Sequence, residues 1–376
     1  MQFDNLLIIA DSDHDADMLY AVGMFVPDPF IYLRLAGKDH IVMSDLEIDR
    51  ARKQVRHCRV LPLSRYQKLL RARNGKNPTL PQIVGELLRQ RRIRQIAVPP
   101  SFPIGYAQQL SADGIRVKAT CGGCFPEREI KAADEVKKLS AALMMAEVGM
   151  AEGIHALKAC KVGKSRQLFY RGLPFTSEKL RSIIDVAIIQ AGGLASHTIV
   201  AGGNQGCDPH ERGYGPLRAH EPIILDIFPR SQKTGYFGDI TRTVVKGRAT
   251  EAVRRLYQTV QEGQDLGIAR VHAGAAGREV HQAVLSFFVE RGYKTGKRRG
   301  YMEGFFHGTG HGLGLQIHEN PRLGPTSPDT LRAGHVVTVE PGLYYRGIGA
   351  VRLEDVVLVT AKGCRNLTKF EKVLEV

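Results

Sequence analysis

Two segments in the second half of the chain carry acidic residues into strands that are otherwise apolar. PIILDIF (222–228) and YFGDITRTVV (236–245) flank a turn-rich connection, which predicts a β-hairpin. VVTVE (336–340) and AVRLEDVVLV (350–359) flank a glycine-containing turn in the same way. Buried carboxylates are costly unless a cation neutralises them, so any fold of this chain must bring these acids to a cation or to water.

The pairing within each hairpin predicts which carboxylates face each other. Pairing about the middle of the first turn places Asp226 opposite Asp239 on one face, about 5 Å apart at Cβ. Pairing about Gly347 places Glu340 opposite Glu354 in the second hairpin. Like charges directly opposite each other destabilise a sheet, so the two pairs predict a bound cation. Oxygen ligands favour ions such as Mn²⁺ or Co²⁺ over a cysteine-type zinc site.

A segment between the two hairpins, HGTGHGLGLQIHE (307–319), combines three histidines with four glycines. It has neither the GxxxxGK[ST] nor the GxGxxG spacing of a phosphate-binding loop. Glycine lets a backbone pass close to another group, so the segment is predicted to cross near a metal centre with His311 pointing inward. His318 reaches the same centre only if the segment bends, which Gly312 and Gly314 permit.

These motifs, in this order and spacing, resemble those of the creatinase/prolidase/methionine-aminopeptidase metallopeptidases. The matching stretches are LDIF, GYFGDITRT, HGTGHGLGLQIHENP, VEPGLYY and VRLEDVVLVT, and the resemblance covers about residues 125–376. Within the family, the similarity is closest to Xaa-Pro aminopeptidases and Xaa-Pro dipeptidases. The resemblance implies an α+β catalytic domain with the pita-bread fold and pseudo-twofold symmetry, preceded by a smaller α/β N-terminal domain. It also implies an exopeptidase that removes the first residue from peptides with proline at the second position.

The resemblance implies a dinuclear metal site whose ligands each match a position of this chain. They are Asp226, Asp239, His311, Glu340 and Glu354, with Asp239 and Glu354 bridging the ions. The implied cofactor is two divalent metal ions; Mn²⁺ is favoured, and Co²⁺, Fe²⁺ and Zn²⁺ are compatible with these ligands. Two such ions polarise a carbonyl and activate a water for its hydrolysis. Glu340 is also expected to take the proton of that water.

Five further residues are implied to act on the substrate. His318 matches a catalytic histidine that hydrogen-bonds the scissile carbonyl, and His210 and His307 match histidines of the substrate pocket. Arg352 matches an arginine that orients the substrate or a ligand. Arg322 resembles a prolidase position that meets the free carboxylate of the substrate. A peptide substrate and a homodimer are the implied partners.

Two other functions remain open on the same motifs. One is a creatinase-like hydrolase of a C–N bond in a non-peptide substrate; that branch works without metal and departs from the ligand set that this chain keeps. The other is a non-catalytic binding module on the same fold, although such relatives usually lose ligands. The motifs also leave open whether the enzyme is a dipeptidase or an aminopeptidase that accepts longer peptides.

The pattern of apolar residues along the chain predicts two domains. Residues 1–120 are predicted to form an α/β domain, with strands near 6–10, 30–36, 40–44 and 95–99. Residues 121–130, which begin CGGCFPERE, are predicted to be a linker. Residues 131–376 form the predicted α+β catalytic domain. Its apolar periodicity predicts helices at 131–157, 176–193, 249–271 and 278–292.

Charge and composition argue against several other classes of protein. The net charge of +15 is concentrated in residues 51–100, which hold thirteen Lys and Arg residues and one acid, Glu86. Tyr66 is the one aromatic residue of this window that offers a stacking ring, so a nucleic-acid partner is not predicted. No run of about 18 apolar residues predicts a membrane span, and the acidic start is unlike a secretory signal. Six scattered cysteines favour a reducing cytoplasm.

Overall fold

The computed structural model describes residues 3–376, and the chain divides into two compact units between Arg128 and Glu129. The division falls inside the segment 121–130 that was predicted to be a linker. Within residues 3–376, none of the helices combines the length and the apolar character that a membrane crossing needs.

The first unit is a six-stranded mixed sheet with helices on both faces. The elements in chain order are β1 (Asn5–Ala10), α1 (Ala16–Val22), β2 (Phe30–Leu35), β3 (Lys38–Met43), α2 (Ile48–Gln54), β4 (Arg59–Pro62), α3 (Leu63–Asn74), α4 (Leu80–Gln90), β5 (Gln95–Val98), α5 (Ile104–Ala112) and β6 (Arg116–Ala119). The strands are arranged in the order β4-β3-β2-β1-β5-β6.

Two apolar cores lie on the two faces of this sheet. Leu6 and Ile8 of β1 pack with α1 and α2, whereas Leu7 and Ile9 pack with α3, α4 and α5. Successive strand residues point to opposite faces, so a continuous apolar run such as LLIIA requires cover on both sides. The first unit therefore has the predicted α/β architecture.

The single acid of the basic window 51–100 is a buried structural partner. Glu86 of α4 accepts hydrogen bonds from Arg73 at 3.0 Å and from Arg89 at 2.6 Å, and its side chain is only 4% exposed. It joins the C-terminal ends of α3 and α4. The other Lys and Arg residues of the window lie mostly at exposed positions, as on an ordinary solvated surface. The absence of a nucleic-acid partner stays a prediction.

The second unit contains the remaining elements in an α+β arrangement. In chain order they are α6 (Ala133–Lys158), β7 (Lys161–Val162), β8 (Leu168–Tyr170), β9 (Leu173–Pro174), α7 (Ser177–Gln190), β10 (Gly193–Leu194), β11 (Ile199–Gly202), β12 (Pro222–Ile227), β13 (Arg230–Ser231), β14 (Ile240–Val245), α8 (Glu251–Arg270), α9 (Gly277–Glu290), β15 (Gly296–Arg298), β16 (Tyr301–Glu303), β17 (Gly310–Gly312), β18 (Glu319–Leu323), β19 (Val336–Val339), β20 (Gly342–Tyr345), β21 (Gly349–Arg352), β22 (Asp355–Val359) and β23 (Cys364–Asn366). The four helices predicted in this half of the sequence are all present.

The second unit repeats one arrangement, in which two helices precede an antiparallel sheet. In the first half, α6 and α7 precede the sheet β11-β12-β14; in the second half, α8 and α9 precede the sheet β18-β17-β19-β22-β23. Gly149 and Gly153 of α6 let Ile184 and Ile188 of α7 pack directly against its backbone. The two similar acidic hairpins thus belong to two similar structural halves, and each half contributes one pair of acids.

The strands of the first acidic hairpin pair in a register that differs from the predicted one by two residues. Asp226 lies opposite Thr241, and Asp239 precedes β14 instead of facing Asp226. The cause is the position of the turn, because Arg230 still lies opposite Phe237 in the same register and the turn is centred between Lys233 and Thr234, one residue later than predicted. Strand residues two apart share a face, so the two aspartates still lie on the same side of the sheet.

The second acidic hairpin has the predicted register. Val339 lies opposite Asp355, and Gly342 lies opposite Arg352. Glu340 and Glu354 lie between these two pairs, at the junction where the strands pass from one sheet into the next. The predicted facing of the two glutamates is therefore consistent with the pairing on both sides, although neither glutamate belongs to a ladder.

Candidate metal centre

A cavity of about 660 Å³ in the second unit is lined by every residue that the sequence predicted for the site. The ten residues are His210, Asp226, Asp239, His307, His311, His318, Arg322, Glu340, Arg352 and Glu354. They come from both structural halves and from positions up to 144 residues apart in the chain. The fold therefore brings all ten side chains to one cavity.

The acidic residues and one histidine form a cluster with the dimensions of a metal site. Donor atoms of Asp239, His311 and Glu354 all lie within 4.8 Å of one another, and these three residues are buried. The Nε2 atom of His311 is 3.2 Å from Glu340 Oε1 and 3.8 Å from Asp239 Oδ2. Asp226 lines the same cavity but pairs with Arg352, whose Nη2 is 2.7 Å from Asp226 Oδ2.

The electrostatics of the cluster fit divalent cations. Burial, followed by the charges of neighbouring carboxylates, raises the pKa of Asp239 and of Glu354 well above the usual range. Like charges that cannot be solvated favour protonation, and a metal ion at the same place reverses this preference. Four carboxylates and one imidazole are donors that Mn²⁺ and similar ions accept. The residues present therefore fit the metal ions that the resemblance implies.

Two threonines that the sequence reasoning missed orient the carboxylates. Thr241 Oγ1 donates to Glu354 Oε2 at 2.8 Å, and Thr338 Oγ1 donates to Glu340 Oε1 at 3.1 Å. Hydrogen bonds of this kind fix the direction of a metal-binding oxygen. The sequence offered a signal for both threonines, because each lies two residues from a predicted ligand. Strand residues two apart point to the same face of a sheet.

A hydrogen-bonded chain connects Asp226 to His307 through Arg352 and Tyr344. Arg352 Nη1 donates to the Tyr344 hydroxyl at 3.0 Å, and that hydroxyl lies 2.8 Å from His307 Nε2. Burial lowers the pKa of His307 to about 4, so the ring is neutral near pH 7. Its Nδ1 donates to the Gly308 carbonyl at 2.8 Å, which leaves Nε2 to accept from Tyr344. The sequence reasoning did not identify Tyr344, although it belongs to the VEPGLYY motif.

The glycine- and histidine-rich segment bends as predicted. The rings of His311 and His318 are 4.4 Å apart between centroids and meet at 84°, although seven residues separate them. A Cβ atom at Gly310 would overlap the carbonyl oxygen of Thr338, and one at Gly312 would overlap that of Asn320. The glycines are therefore needed for close passage of the backbone beside its two neighbouring strands.

His210 and Arg322 lie at the exposed rim of the cavity. The backbone N–H of His210 donates to Asp208 Oδ1 at 3.1 Å, and that of Arg322 donates to Asp329 Oδ2 at 2.7 Å. These bonds hold the two backbones while both side chains line the cavity. The side chains of His210 and Arg322 are therefore accessible both to solvent and to a molecule that enters the cavity.

Two similar halves around a buried carboxylate and histidine cluster define the pita-bread class of metalloprotein. The family model of metallopeptidase family M24 matches residues 137–361, and the chain belongs to this family. The resemblance and the fold class that the motifs predicted are therefore confirmed.

Individual relatives agree with this assignment. The uncharacterized peptidase YqhT of Bacillus subtilis is 32% identical over 247 residues, a match that spans 66% of this chain and only 64% of that relative. The Xaa-Pro dipeptidase of Pyrococcus horikoshii is 29% identical over 292 residues, which is 75% of each chain. The crystal structure of the X-Pro aminopeptidase from Thermotoga maritima MSB8 has a TM-score of 0.83 at 21% identity, covering 100% of this chain and 98% of that one. At this identity the structural likeness shows the fold.

Neutralising one carboxylate is expected to have opposite effects with and without metal. Asp239→Asn should raise the melting temperature of the metal-free protein, because it removes repulsion from the buried cluster. Wild-type protein should gain about 2.7 kcal/mol when Mn²⁺ is present at 100 times its dissociation constant, and the variant should gain much less. Thermal denaturation of both proteins with and without Mn²⁺ measures both effects.

The exposed Asp49, whose side chain is 84% exposed, provides the matched control. Asp49→Asn should behave like wild type in both conditions. A metal-free Asp239→Asn protein that is less stable than wild type would contradict the described repulsion.

Proposed function

We propose that the protein is an exopeptidase that uses two divalent metal ions to remove the N-terminal residue from peptides with proline at the second position. This activity is that of an Xaa-Pro aminopeptidase or dipeptidase. The observation that carries the proposal is the single cavity that joins the ligand cluster to His318, His307, His210 and Arg352. Membership of metallopeptidase family M24 supports peptide hydrolysis, and the similarity to a protein named Xaa-Pro dipeptidase supports the preference for proline.

The five clustered residues would hold the metal ions. These residues are Asp226, Asp239, His311, Glu340 and Glu354. Mn²⁺ is the favoured ion, and Co²⁺, Fe²⁺ and Zn²⁺ suit the same donors. When bound, two such ions supply an activated water near pH 7 and polarise the peptide carbonyl.

The protein's own side chains then move the proton and stabilise charge. Glu340 is the base of the proposal, because its Oε1 is held by Thr338 and faces the cavity beside His311. Burial, with the charges of His311 and Arg322, lowers the pKa of His318 to about 4. His318 is thus neutral near pH 7 and offers one N–H to the carbonyl oxygen as negative charge develops there.

The walls of the cavity support a proline-selective pocket. Ile199, Phe228 and Phe306 line the cavity together with His210 and His307. These apolar and aromatic surfaces can pack against a pyrrolidine ring, and none of them requires an N–H from the residue after the cleaved bond. Proline lacks that N–H, so a site that recognises its ring does not penalise its absence.

The oligomeric state and the compartment are also part of the proposal. We infer a homodimer from the resemblance, and a groove of about 900 Å³ between α6 and α7, with exposed Val148, Leu173 and Val186, offers apolar surface for such a contact. We infer a cytoplasmic location because all six cysteines are free.

The direct test is hydrolysis by metal-stripped protein with and without added Mn²⁺. Ala-Pro and Ala-Pro-Ala should both be cleaved only with Mn²⁺ if the enzyme is an aminopeptidase, while Ala-Ala-Ala should be cleaved at least tenfold more slowly. Cleavage of Ala-Pro alone would identify a dipeptidase and would support Arg322 as the residue that meets the substrate carboxylate. No cleavage of either proline peptide by protein that carries two ions would contradict the proposal.

Replacement of His318 separates catalysis from metal binding. His318→Ala should keep both metal ions, because His318 is outside the ligand cluster, and should lower kcat by about 100- to 1,000-fold, as loss of one oxyanion-stabilising donor does. Metal content by elemental analysis and steady-state kinetics check the two effects. Turnover equal to that of wild type would overturn the role assigned to His318.

A further inference from the structure

A buried ion pair lies beside the candidate metal centre and takes no part in the ligand cluster. Lys131 Nζ is 2.8 Å from Glu319 Oε2, and the two side chains are only 1% and 6% exposed. A buried ion pair often contributes little net stability, because desolvating two charges offsets their attraction. The place of the ion pair in the fold therefore indicates its role better than its contribution to stability does.

Glu319 holds the backbone on both sides of His318. It follows His318 directly and begins β18, and its Oε1 accepts the backbone N–H of Gln316 at 3.1 Å. The carboxylate thus closes a four-residue turn, 316–319, with His318 inside it. Restraining a turn in this way reduces the conformations that the enclosed residue can adopt.

The same carboxylate also packs against the bend that precedes His318. Glu319 Oε2 occupies the space where a Cβ of Gly314 would lie. The Gly314 carbonyl accepts the backbone N–H of Phe237 at 2.9 Å, two residues before the proposed ligand Asp239. The bend is therefore held by a backbone hydrogen bond near Asp239 and by contact with the Glu319 carboxylate.

Lys131 lies in a segment that is hydrogen-bonded to the loop before β19. Its backbone N–H donates to the Gly334 carbonyl at 2.8 Å, and Glu129 nearby pairs with Arg332 at 3.2 Å. Helix α6 starts two residues after Lys131. The backbone that carries the ammonium group is thus held in place, and loss of the ammonium group removes the cation that pairs with the buried Glu319 carboxylate.

We infer that Lys131 is a positioning residue that acts through Glu319 to hold His318 against the metal centre. The inference rests on the proposed function of His318. None of the five proposed metal ligands lies in residues 313–319, and the turn that carries His318 is the part of the site that the Glu319 carboxylate restrains directly. Lys131 and Glu319 are 188 residues apart in the sequence, so this contact exists only in the folded protein.

The first test compares kcat with metal content in Lys131→Met. A displacement of about 1 Å at a reacting group can cost 100-fold in rate, so kcat should fall about 10- to 100-fold while KM stays within about twofold. Two bound ions should remain. Lys131→Arg keeps the positive charge and should recover most of the activity. Lys138→Met is the matched control, because that lysine pairs with Asp134 on the exposed surface of α6.

The second test asks whether Lys131 acts through His318. In protein that already carries His318→Ala, adding Lys131→Met should cause no further loss of kcat. Similar losses in both backgrounds would overturn the inference, since they would show a general structural effect. If Lys131→Met does not fold, the double variant Lys131→Met/Glu319→Gln removes both charges and is expected to fold with the same selective loss of kcat; an unimpaired kcat in that variant would also overturn the inference.

The third test does not depend on activity and separates this inference from the proposed function. Hydrogen–deuterium exchange of residues 313–319, which include the Gln316 amide, should be faster in Lys131→Met than in wild type or Lys138→Met. Unchanged exchange would overturn the positioning role even if the enzyme cleaves Xaa-Pro peptides. Faster exchange in a protein that cleaves no such peptide would support the restraint of the turn and contradict only the proposed function.

Discussion

Four carboxylates that repel one another line one buried cavity of the second unit. Their charges must be neutralised, and this requirement constrains the other groups of the site. Asp226 pairs with the guanidinium of Arg352 at 2.7 Å, and Glu340 lies 3.2 Å from His311. Asp239 lies farther from His311, at 3.8 Å, and Glu354 accepts a hydrogen bond from the uncharged Thr241; burial and the other carboxylates raise the pKa of both acids. The need for added cations is therefore concentrated at the two residues that are proposed to bridge the metal ions.

The two structural halves make different contributions to the cavity. Each supplies a pair of acids from a similar helix-and-sheet arrangement, but the second half also supplies the bent segment with His311 and His318. The first half supplies Thr241, which orients Glu354 across the boundary between the halves. The similar arrangement of the two halves thus accounts for the four carboxylates, and the added segment provides the imidazole of His311 and the proposed catalytic His318.

Much of the site was predictable because its residues follow local rules. Acids that interrupt apolar strands indicated the four carboxylates, and glycines beside histidines indicated the segment 307–319, whereas the resemblance alone indicated His210, Arg322 and Arg352. The register of the second hairpin was also predictable, because a short turn about Gly347 connects its strands directly. The first hairpin differed because its turn is centred one residue later than predicted, and the turn-rich sequence 229–235 does not fix that centre. Tyr344 and Lys131 were missed for another reason, since their partners are 37 and 188 residues away and no local pattern reveals such contacts.

The most direct measurement of the central claim is anomalous diffraction from crystals of the protein grown with Mn²⁺. The account predicts two manganese peaks inside the cavity, contacted by Asp226, Asp239, His311, Glu340 and Glu354, with Asp239 and Glu354 contacting both. A single peak would contradict the dinuclear site. Manganese bound elsewhere, or an empty cavity at saturating Mn²⁺, would contradict the assignment of the carboxylate cluster as a metal centre.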